Sequence, residues 1–155
     1  MRLELLFVGK TKESYLATGI KDYTKRLARY LKLEIKVVKE GRIQKGEPAD
    51  FLIQKESETL MQNIQGSYLV CLDRTGKQMD SLALAKQMAR WEMQGIKKIS
   101  FVIGGHLGLS STILKKSNLV LSFSPMTFTH EMTRLLLLEQ LYRACTINAG
   151  EKYHK

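Results

Sequence analysis

Five short apolar runs punctuate this chain, and the helical patterns between them leave few ways to fold it. Leu3–Val8, Leu33–Val38, Tyr68–Leu72, Ile99–Ile103 and Leu119–Phe123 have strand length and are bounded by polar or glycine-containing turns. Tyr68–Leu72 is continuously apolar, as in a strand covered on both faces. Helical spacing of apolar residues fills the intervals, over roughly Glu13–Tyr30, Pro48–Gln65, Asp80–Gln94, Ser111–Ser117 and Glu131–Thr146. Strand and helix in alternation imply an α/β fold with a mainly parallel sheet. At 155 residues the chain suits a single domain spanning 1–155.

The expected helix boundaries have local causes. Asp80 or Ser81 is an N-cap and Gly95 a stop for the third helix, while Pro48 and Asp50 open the second. The last helix is different in kind. Leu135, Leu136, Leu137, Leu138, Leu141 and Tyr142 cover nearly every direction around it, so burial on all sides is expected. One sheet in so small a domain cannot supply that cover, which points to a second subunit and a two-fold dimer. On the first helix Lys21, Lys25 and Arg29 recur at every fourth residue. Like charges at that spacing repel mildly, which an anionic partner would relieve, although Asp22 with Arg26 already balances part of the face.

The net charge of +10 suits a surface that neutralises nucleic-acid phosphates. A hydrophobic fraction of 44% and a charged fraction of 26% argue against disorder, and the apolar runs are too short to span a membrane. Leu3–Val8 is too short for a signal sequence. Cys71 and Cys145 sit far apart in apolar segments, which fits reduced thiols and a cytoplasmic location.

Loops at strand carboxyl ends draw attention to Asp73–Lys77, Gly104–Gly108 and Ser124–Thr127. The Gly104–Gly108 loop is not a dinucleotide fingerprint, since its glycines are wrongly spaced and follow the fourth strand. Gly76-Lys77 lacks the rest of a P-loop. What the glycines still provide is close backbone approach to a ligand, or simply a tight turn. No metal-ligand spacing or serine-histidine-aspartate order is visible, so neither metal catalysis nor hydrolysis is expected. His130 stands at a helix start as a base, a phosphate contact or a structural residue, and His106 has no evident partner in the sequence. Phe101–Ile147 thus reads as a ligand site where two strands end and a buried helix begins.

An ordered set of motifs goes further. Val8-Gly9-Lys10, Leu72-Asp73-Arg74-Thr75-Gly76-Lys77, Ile103-Gly104-Gly105-His106-Leu107-Gly108, Glu139-Gln140-Leu141-Tyr142-Arg143-Ala144 and terminal Tyr153-His154 together resemble the RlmH (YbeA-like) family over essentially the whole chain. These are ribosomal RNA large-subunit pseudouridine N3-methyltransferases of the SPOUT superfamily. The resemblance implies a carboxyl-terminal trefoil knot, which general topology rules would not favour, and a homodimer built around it. It implies S-adenosylmethionine as cofactor, held at Leu72, Gly104 and Phe123, Ser124, Pro125, Met126, Thr127 and Phe128.

The substrate implied is 23S rRNA in assembled ribosomes, not DNA, with no membrane partner. His154, Tyr153 and Arg143 are the catalytic residues implied, the tail completing the neighbouring subunit's site, with His130 a further candidate base. The family usually has proline before Tyr-His, whereas Lys152 precedes Tyr153 here, which leaves the tail less stiff. A noncatalytic ribosome-binding factor and a knotted methyltransferase acting on tRNA remain alternatives.

Overall fold

The computed structural model describes residues 1–42 and 44–154. Its elements alternate as expected: β1 (Arg2–Val8), α1 (Ser14–Leu27), β2 (Lys32–Val38), α2 (Ala49–Asn63), β3 (Tyr68–Gln78), α3 (Ser81–Met93), β4 (Lys98–Ile103), α4 (Ser111–Lys116), β5 (Leu119–Ser122) and α5 (His130–Asn148). The strands form one sheet in the order β2-β1-β4-β3-β5, and every pairing is parallel. The crossovers change direction between β1 and β4, the kind of switch point near whose strand carboxyl ends ligands bind in open α/β sheets.

Alternation along the strands divides the core in two. Leu3, Leu5 and Phe7 of β1 face a cluster with Trp91, Leu137, Leu138 and Leu141, covered by α1, α3 and α5. Leu6 and Val8 face the opposite cluster, with Leu60 and Ile113 from α2 and α4. Glu4 points to this second side beyond the reach of either helix. It is wrapped by Lys98 at 3.1 Å, Arg2 at 2.9 Å and Lys36 at 3.3 Å. Burial works to raise its pKa, but the hydrogen bonds and charges of Lys98 and Lys36 prevail and hold it below the usual carboxylate range.

Boundaries moved where tertiary contacts overrode local pattern. Asp80 caps α3 through the Ala83 amide at 2.7 Å, and Gly95, with φ of 72°, ends it as read. Asp50 does not cap α2; Pro48 holds the N-cap position without a side-chain bond, and the aspartate lies in the first turn. The largest departure is β3. It was expected to stop at Leu72, yet it leaves the sheet there, loops through Asp73–Gly76 and pairs with Leu121 of β5 again through Lys77. Gly76 permits the return, since a Cβ there would stand 2.7 Å from the backbone of Val120.

Helix α5 lies between α1 and α3 and is not buried all round. Glu131, Arg134, Leu137, Leu138, Leu141 and Ala144 are buried, whereas Met132 and Leu136 on the outer side, and Leu135 against Gly19 of α1, remain half-buried. Its first turn clamps the chain's first loop. The Glu131 carboxylate accepts the amides of Lys12 (2.7 Å) and Glu13 (3.0 Å), just before α1. Arg134, fully buried, donates to the Val8 carbonyl at 2.7 Å and the Thr11 hydroxyl at 2.9 Å, with its guanidinium over the Phe7 ring. Burial tends to raise the Glu131 pKa, but the two amides and Arg134 bring it below the usual value.

A carboxylate with a depressed folded-state pKa stabilises above its unfolded pKa and ceases to as pH falls through the folded one. Glu131→Gln is therefore expected to cost about 1–3 kcal/mol at pH 7 and to flatten the acid limb of the stability profile below about pH 4.5. Urea unfolding between pH 3 and pH 7 measures both; an unchanged acid limb contradicts the assignment.

Candidate active site

Three strand ends and the start of α5 enclose a cavity of about 720 Å³. Leu72 of β3, Ile103 of β4 and Leu121 of β5 form its floor, and the Gly104–Gly108 loop and Phe123–His130 segment its sides. The size suits a small organic ligand, and the walls are mainly apolar with polar groups at the rim, as such sites require. The expected cofactor positions Leu72, Gly104, Phe123, Ser124, Met126, Thr127 and Phe128 all line it, while Pro125 does not. Asp73 and Arg74 line it as well, brought there by the excursion of β3 that the sequence did not disclose. The sequence marks Asp73–Lys77 as a loop at a strand's carboxyl end, but not its return to β5.

Each wall is held by hydrogen bonds. The one hydroxyl proton of buried Ser122 is shared between the carbonyls of Arg74 (3.1 Å) and Ser124 (3.0 Å), tying the two loops at the ends of β3 and β5. The Ser124 hydroxyl accepts the Met126 amide at 3.0 Å, and Thr129 caps α5 by accepting the Met132 amide at 3.2 Å. The glycine loop is a tight turn in which the Gly108 amide donates to the Gly105 carbonyl at 3.0 Å. Gly108 has φ of 81°, a backbone region that favours glycine.

His106 has a partner after all. Its Nδ1 lies 3.1 Å from the Glu40 carboxylate, which belongs to the segment after β2 and also approaches Gly9. Sequence reading missed Glu40 because it stands 66 residues from His106 and no local pattern marks it. Beneath it Glu56 accepts the Gly41 amide at 2.9 Å, and burial raises the Glu56 pKa. His130 also lines the cavity. Burial and the charge of Arg134 lower its pKa, favouring neutral imidazole near pH 7.

The remaining expected catalytic residues gather elsewhere. Tyr153 reaches Tyr23 and Glu139, each at 3.2 Å, and the Arg143 guanidinium sits over its ring at 4.7 Å. Glu139 also accepts from Arg143 Nε at 3.1 Å, and Glu151 accepts from Tyr30 at 2.8 Å. That bond raises the Tyr30 pKa to about 12. His154 is half-buried, its Nδ1 without a partner among the described residues. None of Arg143, Tyr153 and His154 lines the cavity of their own chain. Along α5, Arg143 is about 15 Å from Thr133 of the cavity wall at 1.5 Å per residue.

A Cβ on Gly104 would stand 2.5 Å from the Gly108 carbonyl oxygen, so Gly104→Val is expected to spring the glycine loop. Hydrogen exchange at the Gly108 amide should accelerate at least tenfold while the β1 amides keep their protection; unaltered Gly108 exchange contradicts the loop's dependence on Gly104.

Known proteins fit this geometry. A family described as "Predicted SPOUT methyltransferase" matches residues 1–154. A relative from Desulfotalea psychrophila is 48% identical over 156 residues and one from Halothermothrix orenii 45% over 159, with 100% of both chains covered in each case. Both are named ribosomal RNA large subunit methyltransferase H. Among solved structures, a probable methyltransferase from Bordetella pertussis has a TM-score of 0.58 at 13% identity, covering 93% of this chain and 96% of that one. A probable methylase family protein from Haemophilus influenzae has 0.55 at 14% identity, covering 99% and 70%. At that identity the two structures bear on the fold alone. With a family match along nearly its whole length and full-length relatives at this identity, the chain belongs to the SPOUT methyltransferases, in the ribosomal RNA large subunit methyltransferase H family.

Proposed function

We propose that this protein uses S-adenosylmethionine to methylate N3 of a pseudouridine in 23S rRNA of the assembled large ribosomal subunit, as a cytoplasmic homodimer of single-domain chains. The observation that carries the reading is the cavity at the ends of β3, β4 and β5, in a chain whose full-length relatives carry an rRNA methyltransferase name. No helix is long and apolar enough to cross a membrane among the described residues. The trefoil knot remains part of the proposal, with the Phe123–Thr129 segment and the glycine loop as its two walls.

The residues present fit the cofactor. Leu72, Leu121, Phe123 and Phe128 offer apolar walls for an adenine, and the loop backbones offer its hydrogen-bonding partners. Asp73 and Arg74 provide opposite charges for an amino-acid zwitterion. When bound, S-adenosylmethionine supplies an electrophilic methyl group on a sulfonium. The protein must then align the acceptor nitrogen and handle its proton. N3 of pseudouridine is an imide nitrogen, and it must lose that proton to attack.

His130 lines the cavity of its own chain and is favoured as neutral imidazole, which supports a role in accepting the N3 proton. Arg143 would stabilise the resulting anion, Tyr153 would stack on the base, and His154 is the second candidate base. These three lie beyond reach of their own cavity, which favours a site completed by the neighbouring subunit. Met126, Phe128 and Leu82, exposed at 74%, 41% and 55%, together with the outer side of α5, are the apolar surface such a dimer would cover.

Two measurements test this. Wild-type protein should bind S-adenosylmethionine in calorimetry and Gly104→Val should not; nucleosides from a deletion strain should lack N3-methylpseudouridine in 23S rRNA. Retained modification excludes the rRNA assignment, and loss of a tRNA methyl mark instead would favour the tRNA alternative.

The shared site has its own test. Gly104→Val and His154→Ala homodimers should each be nearly inactive, while mixed dimers should regain activity, because one site keeps an intact glycine loop and an intact partner tail. No recovery in mixed dimers means that the tail works within its own chain.

A further inference from the structure

A second concavity, of about 370 Å³, lies on the α1 side of the sheet near the ends of β1 and β2. Ile20, Ile35 and Val37 give it an apolar floor against Phe7, and Lys21 and Lys25 stand on its rim. Helix α1 has little contact with the edge strand β2. Gly19 leaves room for Leu135 of α5, whose methyl would be only 2.9 Å from a Cβ at that position. The helix therefore packs chiefly on α5 and little on β2, and Val37 is left 53% exposed.

The charge around this groove has one sign. No carboxylate lines it, and neither Lys21 nor Lys25 forms an ion pair among the described residues. Asp22, the nearest acid in sequence, is engaged by Arg26 at 2.9 Å. The two lysines sit about one helical turn apart, about 6 Å along the axis at 1.5 Å per residue. At the inner wall the Thr11 hydroxyl accepts from Arg134 and keeps its own proton free to donate. An apolar floor, a hydroxyl donor and paired cations match a flat heterocycle joined to phosphates.

The groove shares no lining residue with the active-site cavity, but both open near the carboxyl end of β1. Phe7 faces the groove, while the neighbouring Val8 points to the other face of the sheet and comes within 3.3 Å of a Cβ position on Gly105 in the glycine loop. A strand of RNA delivering one base to the cavity would pass its neighbours over this loop.

Building on the proposed rRNA activity, we propose that the groove holds an unstacked nucleotide of the RNA substrate near the modified one. Its base lies on Ile20, Ile35 and Val37, and its flanking phosphates meet Lys21 and Lys25. Apolar contact with the base and charge on its phosphates would act together there without sequence readout.

The test uses the full-length protein with purified ribosomes from a strain lacking the modification. Ala17, exposed on the helical wall, is changed to Trp to fill the groove without altering charge. Lys21→Gln/Lys25→Gln removes the rim charges alone. Circular dichroism verifies folding, and sedimentation verifies the assembly state. Ala17→Trp is expected to raise the KM for ribosomes about tenfold with kcat and S-adenosylmethionine affinity unchanged. The lysine pair should lower the slope of log affinity against log salt by about 1.5, the single-strand value for two phosphates.

Wild type that methylates ribosomes beside variants with the same KM and salt slope overturns the groove proposal and leaves the activity standing. Wild type that binds no cofactor and transfers no methyl group overturns the activity, and the groove proposal with it. A variant that changes assembly state instead of KM makes the groove an interface between copies, which also overturns it.

Discussion

The Arg134 and Glu131 side chains on the first turn of α5 tie together parts of the molecule that are furthest apart in sequence. Arg134 is fully buried, a position that is costly for a charge unless its hydrogen bonds and counter-charges are in place. Arg134 is met in part by the Val8 carbonyl, the Thr11 hydroxyl, the Phe7 ring face and the field of Glu131 and Glu40, while its Nε has no partner among the described residues and burial still lowers its pKa. Glu131 in turn engages the Lys12 and Glu13 amides. The last helix thereby fixes the first loop, and with it the carboxyl end of β1, where the crossovers change direction. His130 is carried on the same turn, so the clamp also sets where that imidazole meets the cavity.

From that anchor the site is assembled by return contacts. The excursion of β3 after Leu72 brings Asp73 and Arg74 to the cavity, and Ser122 pins it to the end of β5. Glu40 reaches over from the segment after β2 to hold His106. The β3 excursion and the glycine loop are thus each braced by an element other than their own. The other end of α5 bears a separate arrangement. Glu139 gathers Arg143 and Tyr153 while Tyr30 holds Glu151, so the tail is docked on the chain that carries it and away from that chain's cavity. A dimer that brings this assembly to a neighbouring cavity is the economical way to join the two halves of the proposed chemistry.

Much of the architecture was legible in residue order. The apolar runs located all the strands, Asp80 and Gly95 marked the limits of α3, and the Asp22–Arg26 and Glu139–Arg143 pairs followed from helical spacing. Such features depend on residues a few positions apart, where backbone geometry settles what meets what. The loops Gly104–Gly108 and Phe123–Phe128 were marked by their place after strands, and they do line the cavity apart from Pro125. Within one chain the apolar circumference of α5 is covered only in part, as expected where one sheet cannot supply the whole cover. Leu135 and Leu136 lie on its half-buried side, because α1 and α3 flank the helix without closing over it.

Taken alone, the sequence determined the alternating fold, the basic character and the family resemblance, since periodicity, charge and motif order are properties of the chain itself. Only the tertiary structure decided that β3 returns to β5, that Glu40 meets His106, that Glu131 binds amides 118 and 119 residues away, and that the tail and cavity stand apart within one chain. The reason is physical: a contact between distant segments depends on how the layers close on one another, and neither partner carries a local mark of the other. The groove beside α1 belongs to the same category. Its lysines were visible as a stripe, but the apolar floor beneath them came into being only when Gly19 let the helix settle against Leu135.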